Sequence, residues 1–146
     1  MGNFCDLWAL KCLWLSDNQL TELPKEFGQL SQLQNVHLAR NKIERLPYTF
    51  ARLLQLETLD LEENTIDELP EHFGRLQALH VLKLNANVLT ELPENFGELC
   101  NLHILAIERN LIHELPESFS ELKELKMLSI GGNRLQKIEY IILSSK

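Results

Sequence analysis

The chain repeats itself every 23 residues, and this period constrains its fold more than any other feature. Asparagine recurs in strict register, at Asn18, Asn41, Asn64, Asn87, Asn110 and Asn133. A Leu-Pro pair follows each of the first five asparagines, and a phenylalanine comes three residues after each proline. A fixed period of roughly 20–50 residues is typical of proteins in which similar structural units stack in one direction. The chain is therefore predicted to be a single stack of such units.

The unit reads L-x-x-L-x-L-x-x-N-x-(L/I)-x-x-L-P-x-x-F-x-x-L, and the copy from Leu56 to Phe73 represents it well. Side chains in a strand point alternately to its two faces, so Leu59 and Leu61 predict a short strand with its apolar face inward. Successive strands are expected to pair in parallel, each with both neighbours. Pro70 has no N–H to donate, which places it outside the sheet, on the return segment. No unit can bury its own apolar side chains alone, so stability has to come from stacking.

The recurrent asparagine lies where the chain leaves each strand and turns. Its short side chain carries both donors and an acceptor. It can therefore pair turn backbone groups that would otherwise be buried without a partner, at a cost of roughly 1–3 kcal/mol each. Stacked copies of Asn64 and its equivalents are expected to form a ladder of hydrogen bonds.

This unit resembles the leucine-rich repeat, and the likeness covers almost the whole chain. The 23-residue form with L-P-x-x-F is similar to the repeats of Ras-suppressor, Shoc-type and Scribble/Erbin-type scaffold proteins. The resemblance implies an α/β fold, a solenoid that winds as a right-handed superhelix. A parallel β-sheet would line its concave face, and short turns or helices its convex face. We expect one domain over residues 1–146, with a stub at 1–9 and repeats starting near 10, 33, 56, 79, 102 and 125.

Both ends of the predicted stack lack a clear polar cap. In the sixth repeat Ile138 and Glu139 stand where Leu-Pro is expected. Either the chain is a piece of a longer array, or Gln136–Lys146 and the stub serve as makeshift caps. Leu7, Trp8 and Ile138–Leu143 have no repeat to cover them, which predicts end-to-end self-association.

Charge and cysteine content narrow the choice of partner and compartment. The formal net charge is −7, whereas nucleic-acid binding needs a basic stripe, so no nucleic-acid partner is expected. No apolar run approaches the roughly 18–20 residues of a membrane span. Cys5, Cys12 and Cys100 are odd in number and have no metal-ligand spacing, which favours a reducing compartment. The expected location is the cytoplasm, with attachment to the plasma membrane through partners as a further option.

The residues expected to face the concave side fall into three columns with one residue per repeat. The first column is Cys12, Asn35, Thr58, Val81, Ile104 and Met127. The second is Trp14, His37, Asp60, Lys83, Ala106 and Ser129, and the third is Ser16, Ala39, Glu62, Asn85, Glu108 and Gly131. The predicted protein-binding residues are Trp14, His37, Asp60, Glu62, Val81, Lys83, Ile104 and Met127. A strand preference of β-branched residues is the alternative explanation of the apolar positions, and Trp14 could instead cover an end.

Few residues suggest catalysis or metal binding. His37 beside Asp60 resembles an acid–base pair, but the one nucleophile expected near it on that face is Cys12, two strand positions away. His80 and His103 are equivalent positions that supply two ligands, whereas metal sites need three or four. Glycine-rich phosphate loops are absent from the sequence. The sequence therefore predicts no enzyme activity, no cofactor and no metal.

One edge of the predicted stack carries an acidic stripe. It consists of Glu22, Glu68, Glu91 and Glu114 and is broken by Arg45. A solvated edge explains the stripe, and attraction of a basic partner is the alternative.

The resemblance to scaffold proteins implies a function in protein–protein interaction. It suggests a scaffold or adaptor in intracellular signal transduction, of the small-GTPase or cell-polarity type. The alternative is a substrate-recognition or targeting fragment of a larger enzyme, such as a ubiquitin ligase, phosphatase or kinase. Fold alone does not decide between these functions.

Overall fold

The computed structural model describes residues 7–137, and these residues form one open parallel sheet of six short strands. The strands are β1 Cys12–Trp14, β2 Asn35–His37, β3 Thr58–Asp60, β4 Val81–Lys83, β5 Ile104–Ala106 and β6 Met127–Ser129. They pair strictly in chain order, so each strand bonds only to the repeats before and after it. The predicted solenoid with one short strand per repeat is confirmed.

The sheet register equals the sequence period. Leu59 of β3 lies opposite Val36 of β2 on one side and opposite Leu82 of β4 on the other. Each of these partners is 23 residues away, and every other strand pair has the same offset. Equivalent residues of successive repeats therefore lie side by side, so the first two predicted columns are columns of the sheet, and the third lies just beyond the ends of the strands.

The core is a continuous apolar layer between the sheet and the return segments. Leu59, Leu61 and Ile66 are fully buried, and Leu69 is nearly so. Phe73 packs against the phenylalanine of the next repeat, with ring centroids 6.4 Å apart and the planes 4° from parallel. Burying each such side chain stabilises the fold by roughly 1.5–3 kcal/mol. The apolar positions of the repeat thus form the core, as the sequence predicted.

The return segments contain short 3₁₀ helices. Their bounds are Lys25–Gln29, Tyr48–Arg52, Phe73–Arg75, Phe96–Glu98 and Glu117–Glu121. Pro24, Pro47 and Pro116 directly precede three of them, with φ of −67°, −66° and −66°. Proline fixes φ near these values, so the Leu-Pro pair starts the return without strain. The prediction of short turns or helices on the side opposite the sheet is confirmed.

The asparagine ladder is present. Asn64 Nδ2 donates to the carbonyl oxygens of Leu38 at 2.9 Å and Leu61 at 3.0 Å, in the preceding repeat and its own. Its Oδ1 accepts from the backbone N–H of Ile43 at 3.0 Å. The equivalents Asn41, Asn87, Asn110 and Asn133 make the same three kinds of bond. Asn18 differs, because it donates only within its own turn, to Leu15 and Ser16.

The residue before each asparagine has a positive φ, which the sequence did not indicate. These residues are Asp17 at 62°, Arg40 at 55°, Glu63 at 54°, Ala86 at 58°, Arg109 at 53° and Gly132 at 71°. A left-handed conformation costs a non-glycine residue roughly 1–2 kcal/mol. The ladder bonds on either side of the turn offset this cost.

The first repeat exposes apolar surface. Leu10, Leu13 and Leu15 are only partly buried, whereas their equivalents in the middle repeats are fully buried. Leu7 and Trp8 are 50% and 65% exposed. Leu7 and Trp8 are thus exposed, as the sequence predicted, while Ile138–Leu143 lies outside the described residues.

Candidate functional site

The first two columns lie on the face of the sheet that is opposite the core, and the third continues this surface just beyond the strands. We call this surface the exposed sheet face. In β3 the central Leu59 is buried, whereas Thr58 and Asp60 on either side of it are partly exposed. β2 and β5 show the same alternation. The side chains of this face are therefore available for binding without being needed in the core.

An aromatic pair occupies the exposed sheet face at the first two repeats. The rings of Trp14 and His37 are stacked, with centroids 4.1 Å apart and planes 11° from parallel. Trp14 remains 70% exposed, so its uncovered surface is accessible. The carboxylate of Asp60 accepts a hydrogen bond from the backbone N–H of Glu62 at 3.0 Å. The structure thus pairs His37 with Trp14, and within residues 7–137 it shows no hydrogen bond between His37 and Asp60.

The third repeat contributes an acidic group of side chains, which we call the acidic row: Asp60, Glu62 and Glu63. The nearest cation in the second repeat is Arg40, whose Nε and Nη2 bind the two carboxylate oxygens of Asp17 at 2.6 Å and 3.0 Å. This hydrogen bonding lowers the pKa of Asp17 below its usual value. It also raises the pKa of Arg40, to which the charges of Glu63 and Asp60 add. Because Arg40 is already paired, the acidic row keeps an excess of negative charge.

Lys83 borders the acidic row on its other side. It lies opposite Asp60 in the register of β3 and β4, and it is exposed. Within the described residues Lys83 forms no ion pair. Its ammonium group therefore remains available to a bound partner.

The last three repeats form an apolar column of Val81, Ile104 and Met127. These residues are in register across β4, β5 and β6. Val81 and Ile104 are half-buried, and Met127 is 59% exposed. Along the stack the predicted site residues are therefore aromatic in β1 and β2, acidic in the third repeat, basic and apolar together in β4, and apolar in β5 and β6.

The histidines considered as metal ligands also meet. The rings of His80 and His103 stack with centroids 5.2 Å apart, and His103 Nδ1 lies 2.6 Å from the carbonyl oxygen of Asn101. Between residues 7 and 137 no group of three or more histidine, cysteine or acidic side chains is placed to hold a metal ion. The pair is thus a stack of two imidazoles at the start of β4 and β5.

The acidic stripe forms part of a groove that the sequence did not indicate. Arg45, which interrupts the stripe, pairs with Asp67 at 3.0 Å and Glu68 at 3.3 Å. The groove contains a cavity of about 330 Å³, and the residues that line it include Glu68, Glu71, Glu91 and Glu94. Glu71 and Glu94 are 23 residues apart, so the period itself was the signal that could have grouped them.

Of the helices in residues 7–137, none has the length and apolar character that a bilayer crossing requires.

Comparison with known proteins gives consistent matches. A family model described as a leucine-rich repeat region matches residues 1–87. No significant match was found among curated protein sequences.

Three solved structures illustrate the similarity. One is the ectodomain of the receptor kinase GASSHO1/SCHENGEN3 from Arabidopsis thaliana, in complex with CASPARIAN STRIP INTEGRITY FACTOR 2. Its sequence is 29% identical and its TM-score is 0.86, and the match covers 96% of this chain and 18% of that structure. The Leptospira interrogans protein LIC12759 is 28% identical with a TM-score of 0.69, over 96% of this chain and 47% of its own. The plant peptide hormone receptor RGFR1, in complex with RGF2, is 30% identical with a TM-score of 0.82, over 88% of this chain and 22% of its own. The chain thus spans less than half the length of each of these structures.

Proposed function

The chain belongs to the leucine-rich repeat family, and from this premise we propose that it acts as a scaffold or adaptor in intracellular signal transduction. Domains of this family are generally protein-interaction modules. The 23-residue L-P-x-x-F repeat supports a place beside the Ras-suppressor, Shoc-type and Scribble/Erbin-type scaffolds. Cys12 and Cys100 are free thiols, which is compatible with a cytoplasmic location. The chain itself binds rather than catalyses.

The observation that carries this proposal is the apolar column beside charged residues on a rigid sheet. Val81, Ile104 and Met127 are not required by the core, yet they form a continuous apolar surface. Asp60 and Lys83 flank it and supply electrostatic specificity. An apolar centre with a polar rim is the usual anatomy of a protein–protein interface.

The test compares two matched charge insertions. Ile104→Glu places a carboxylate in the apolar column, and His72→Glu places one on the opposite side of the solenoid, where His72 is exposed. The two variants and the wild-type chain serve as baits for proteins in a cytosolic extract, with quantitative mass spectrometry as the readout. A truncated or charged hot-spot residue typically costs more than about 1 kcal/mol, so Ile104→Glu should lose the partner while His72→Glu retains it.

Thermal melting by circular dichroism is the control, because both variants should keep a melting temperature close to that of the wild type. Capture that survives Ile104→Glu and is lost with His72→Glu would contradict a site on the exposed sheet face.

A second candidate function is the recognition part of a larger enzyme. It is favoured by the similarity to the GASSHO1/SCHENGEN3 ectodomain, which is part of a receptor kinase and of which this chain spans 18%. A transcript that continues the reading frame into a ubiquitin ligase, phosphatase or kinase domain would establish this function. A transcript that encodes no such domain would favour the adaptor.

Self-association is the remaining partner proposal. Leu7 and Trp8 expose apolar surface at the first repeat, and such surfaces associate. Sedimentation velocity should show the mass rising with concentration, and a Trp8→Lys variant should remain monomeric. A monomer at all concentrations for both proteins would contradict it.

A further inference from the structure

The acidic row and the apolar column have a defined spacing on the exposed sheet face. Asp60 belongs to β3 and Ile104 to β5, so the two residues are separated by two strand intervals. Neighbouring strands lie about 4.8 Å apart, which places these groups roughly 10 Å apart along the stack. A peptide in the polyproline II conformation advances about 3.1 Å per residue and has three residues per turn. Side chains three residues apart then lie on the same side of the peptide, roughly 9 Å apart, and can reach the two positions.

The charges on this face decide what each position accepts. Asp60, Glu62 and Glu63 lie in one repeat, and the neighbouring Arg40 is held by Asp17 at 2.6 Å. A basic side chain is the complement of this group, and the net charge of −7 favours the approach of a basic ligand. Lys83 repels a second cation one repeat further on, so the basic side chain is directed to the third repeat rather than the fourth.

The apolar column complements the acidic row. Met127 is 59% exposed and continues the surface of Val81 and Ile104. A leucine, isoleucine, methionine or phenylalanine of the ligand would remove this surface from water, which contributes roughly 25 cal/mol per Å². The acidic row thus selects a positively charged side chain of the ligand, and burial of the apolar column provides most of the binding affinity.

We propose that the exposed sheet face binds a peptide segment in the polyproline II conformation that carries a lysine or arginine three residues from an apolar side chain. This inference rests on the proposed function and names its partner chemistry. The basic residue binds Asp60 and Glu62, and the apolar residue covers Ile104. The peptide lies across the strands, parallel to the axis of the stack.

A random peptide library displayed on phage tests this proposal. Peptides of about twelve residues exceed the length needed to cross six strands. The library is selected on the immobilised full chain in three forms: wild type, Asp60→Lys/Glu62→Lys, and Glu71→Lys/Glu94→Lys. The last two variants change the net charge equally, but Glu71 and Glu94 lie in the groove beside the acidic stripe. They therefore separate a local effect from a general loss of negative charge.

The wild type and the Glu71→Lys/Glu94→Lys control should both enrich lysine or arginine about three positions from an apolar residue. The Asp60→Lys/Glu62→Lys variant should enrich aspartate or glutamate at the same spacing. A synthetic copy of a selected peptide should bind this variant about tenfold more weakly than the wild type by fluorescence anisotropy. Ile104→Glu should weaken the same peptide to a similar degree.

Selected peptides without a basic residue, or a basic preference that survives Asp60→Lys/Glu62→Lys, would overturn the inference. If such peptides still lose binding with Ile104→Glu, the proposed binding face stands and only its ligand chemistry is wrong. If Ile104→Glu has no effect and Glu71→Lys/Glu94→Lys removes the basic preference, the peptide site is the groove beside the acidic stripe. Both the inference and the assignment of the binding face then fail.

Discussion

The asparagine ladder should show a measurable coupling between neighbouring rungs. The carbonyl oxygen of Leu38 accepts hydrogen bonds from Asn41 at 3.0 Å and from Asn64 at 2.9 Å. Removal of one asparagine therefore leaves this oxygen with a donor, whereas removal of both leaves it with neither. Asn41 and Asn87 share no carbonyl, although both are buried. The Asn41–Asn64 pair and the Asn41–Asn87 pair therefore differ in whether they share a carbonyl oxygen, and not in residue type or burial.

The magnitudes follow from counting the groups left without a partner. Asn64→Ala deprives the Ile43 N–H of its acceptor, and a buried donor without a partner costs roughly 1–3 kcal/mol. Asn41→Ala does the same to the Leu20 N–H. In the Asn41→Ala/Asn64→Ala chain the Leu38 oxygen is also unpaired, which adds roughly 1–3 kcal/mol beyond the sum of the single changes.

Urea unfolding followed by circular dichroism gives the required free energies, provided that the m-value stays the same in all variants. The Asn41–Asn87 cycle should be additive within about 0.5 kcal/mol. Asn18→Ala should cost the least, because Asn18 bonds only within its own exposed turn. An Asn41–Asn64 cycle that is equally additive would refute the shared-acceptor argument.

Two further predictions concern the return segments and the first turn. A Cβ on Gly97 would collide with the backbone carbonyl of Ser118, whereas a Cβ on Gly131 meets no atom within 4 Å. Gly97→Ala should therefore lower the free energy of unfolding by roughly 1–3 kcal/mol, and Gly131→Ala should leave the urea midpoint nearly unchanged; equal shifts would contradict this. Hydrogen bonding from Arg40 lowers the pKa of Asp17, so the contact is present above the ordinary value of 3.8 and is lost as the pH falls through the lower pKa of the folded state. Carboxyl NMR should show a midpoint below 3.8 that returns towards it in Arg40→Gln, and an unchanged midpoint in that variant would disprove the pairing.

The 23-residue period by itself determined the sheet, the core and the ladder. In a stack of repeats the neighbours of a residue lie one period away in either direction, so long-range contacts can be read from the sequence. This is why the register of Leu59 with Val36 and Leu82 and the bonds of Asn64 followed from spacing. The columns of the candidate site could be predicted for the same reason.

Tertiary structure decided how the side chains within those columns pair. His37 has Trp14 on one side and Asp60 on the other, and spacing treats both as equal neighbours. The ring of His37 stacks on that of Trp14 at 4.1 Å, while the carboxylate of Asp60 accepts a hydrogen bond from the backbone N–H of Glu62. The left-handed turns were also hidden, because the residue before each asparagine varies in type, from Asp17 and Arg40 to Gly132. The period determines which repeats are neighbours, whereas the geometry of competing side chains determines which groups stack or form hydrogen bonds.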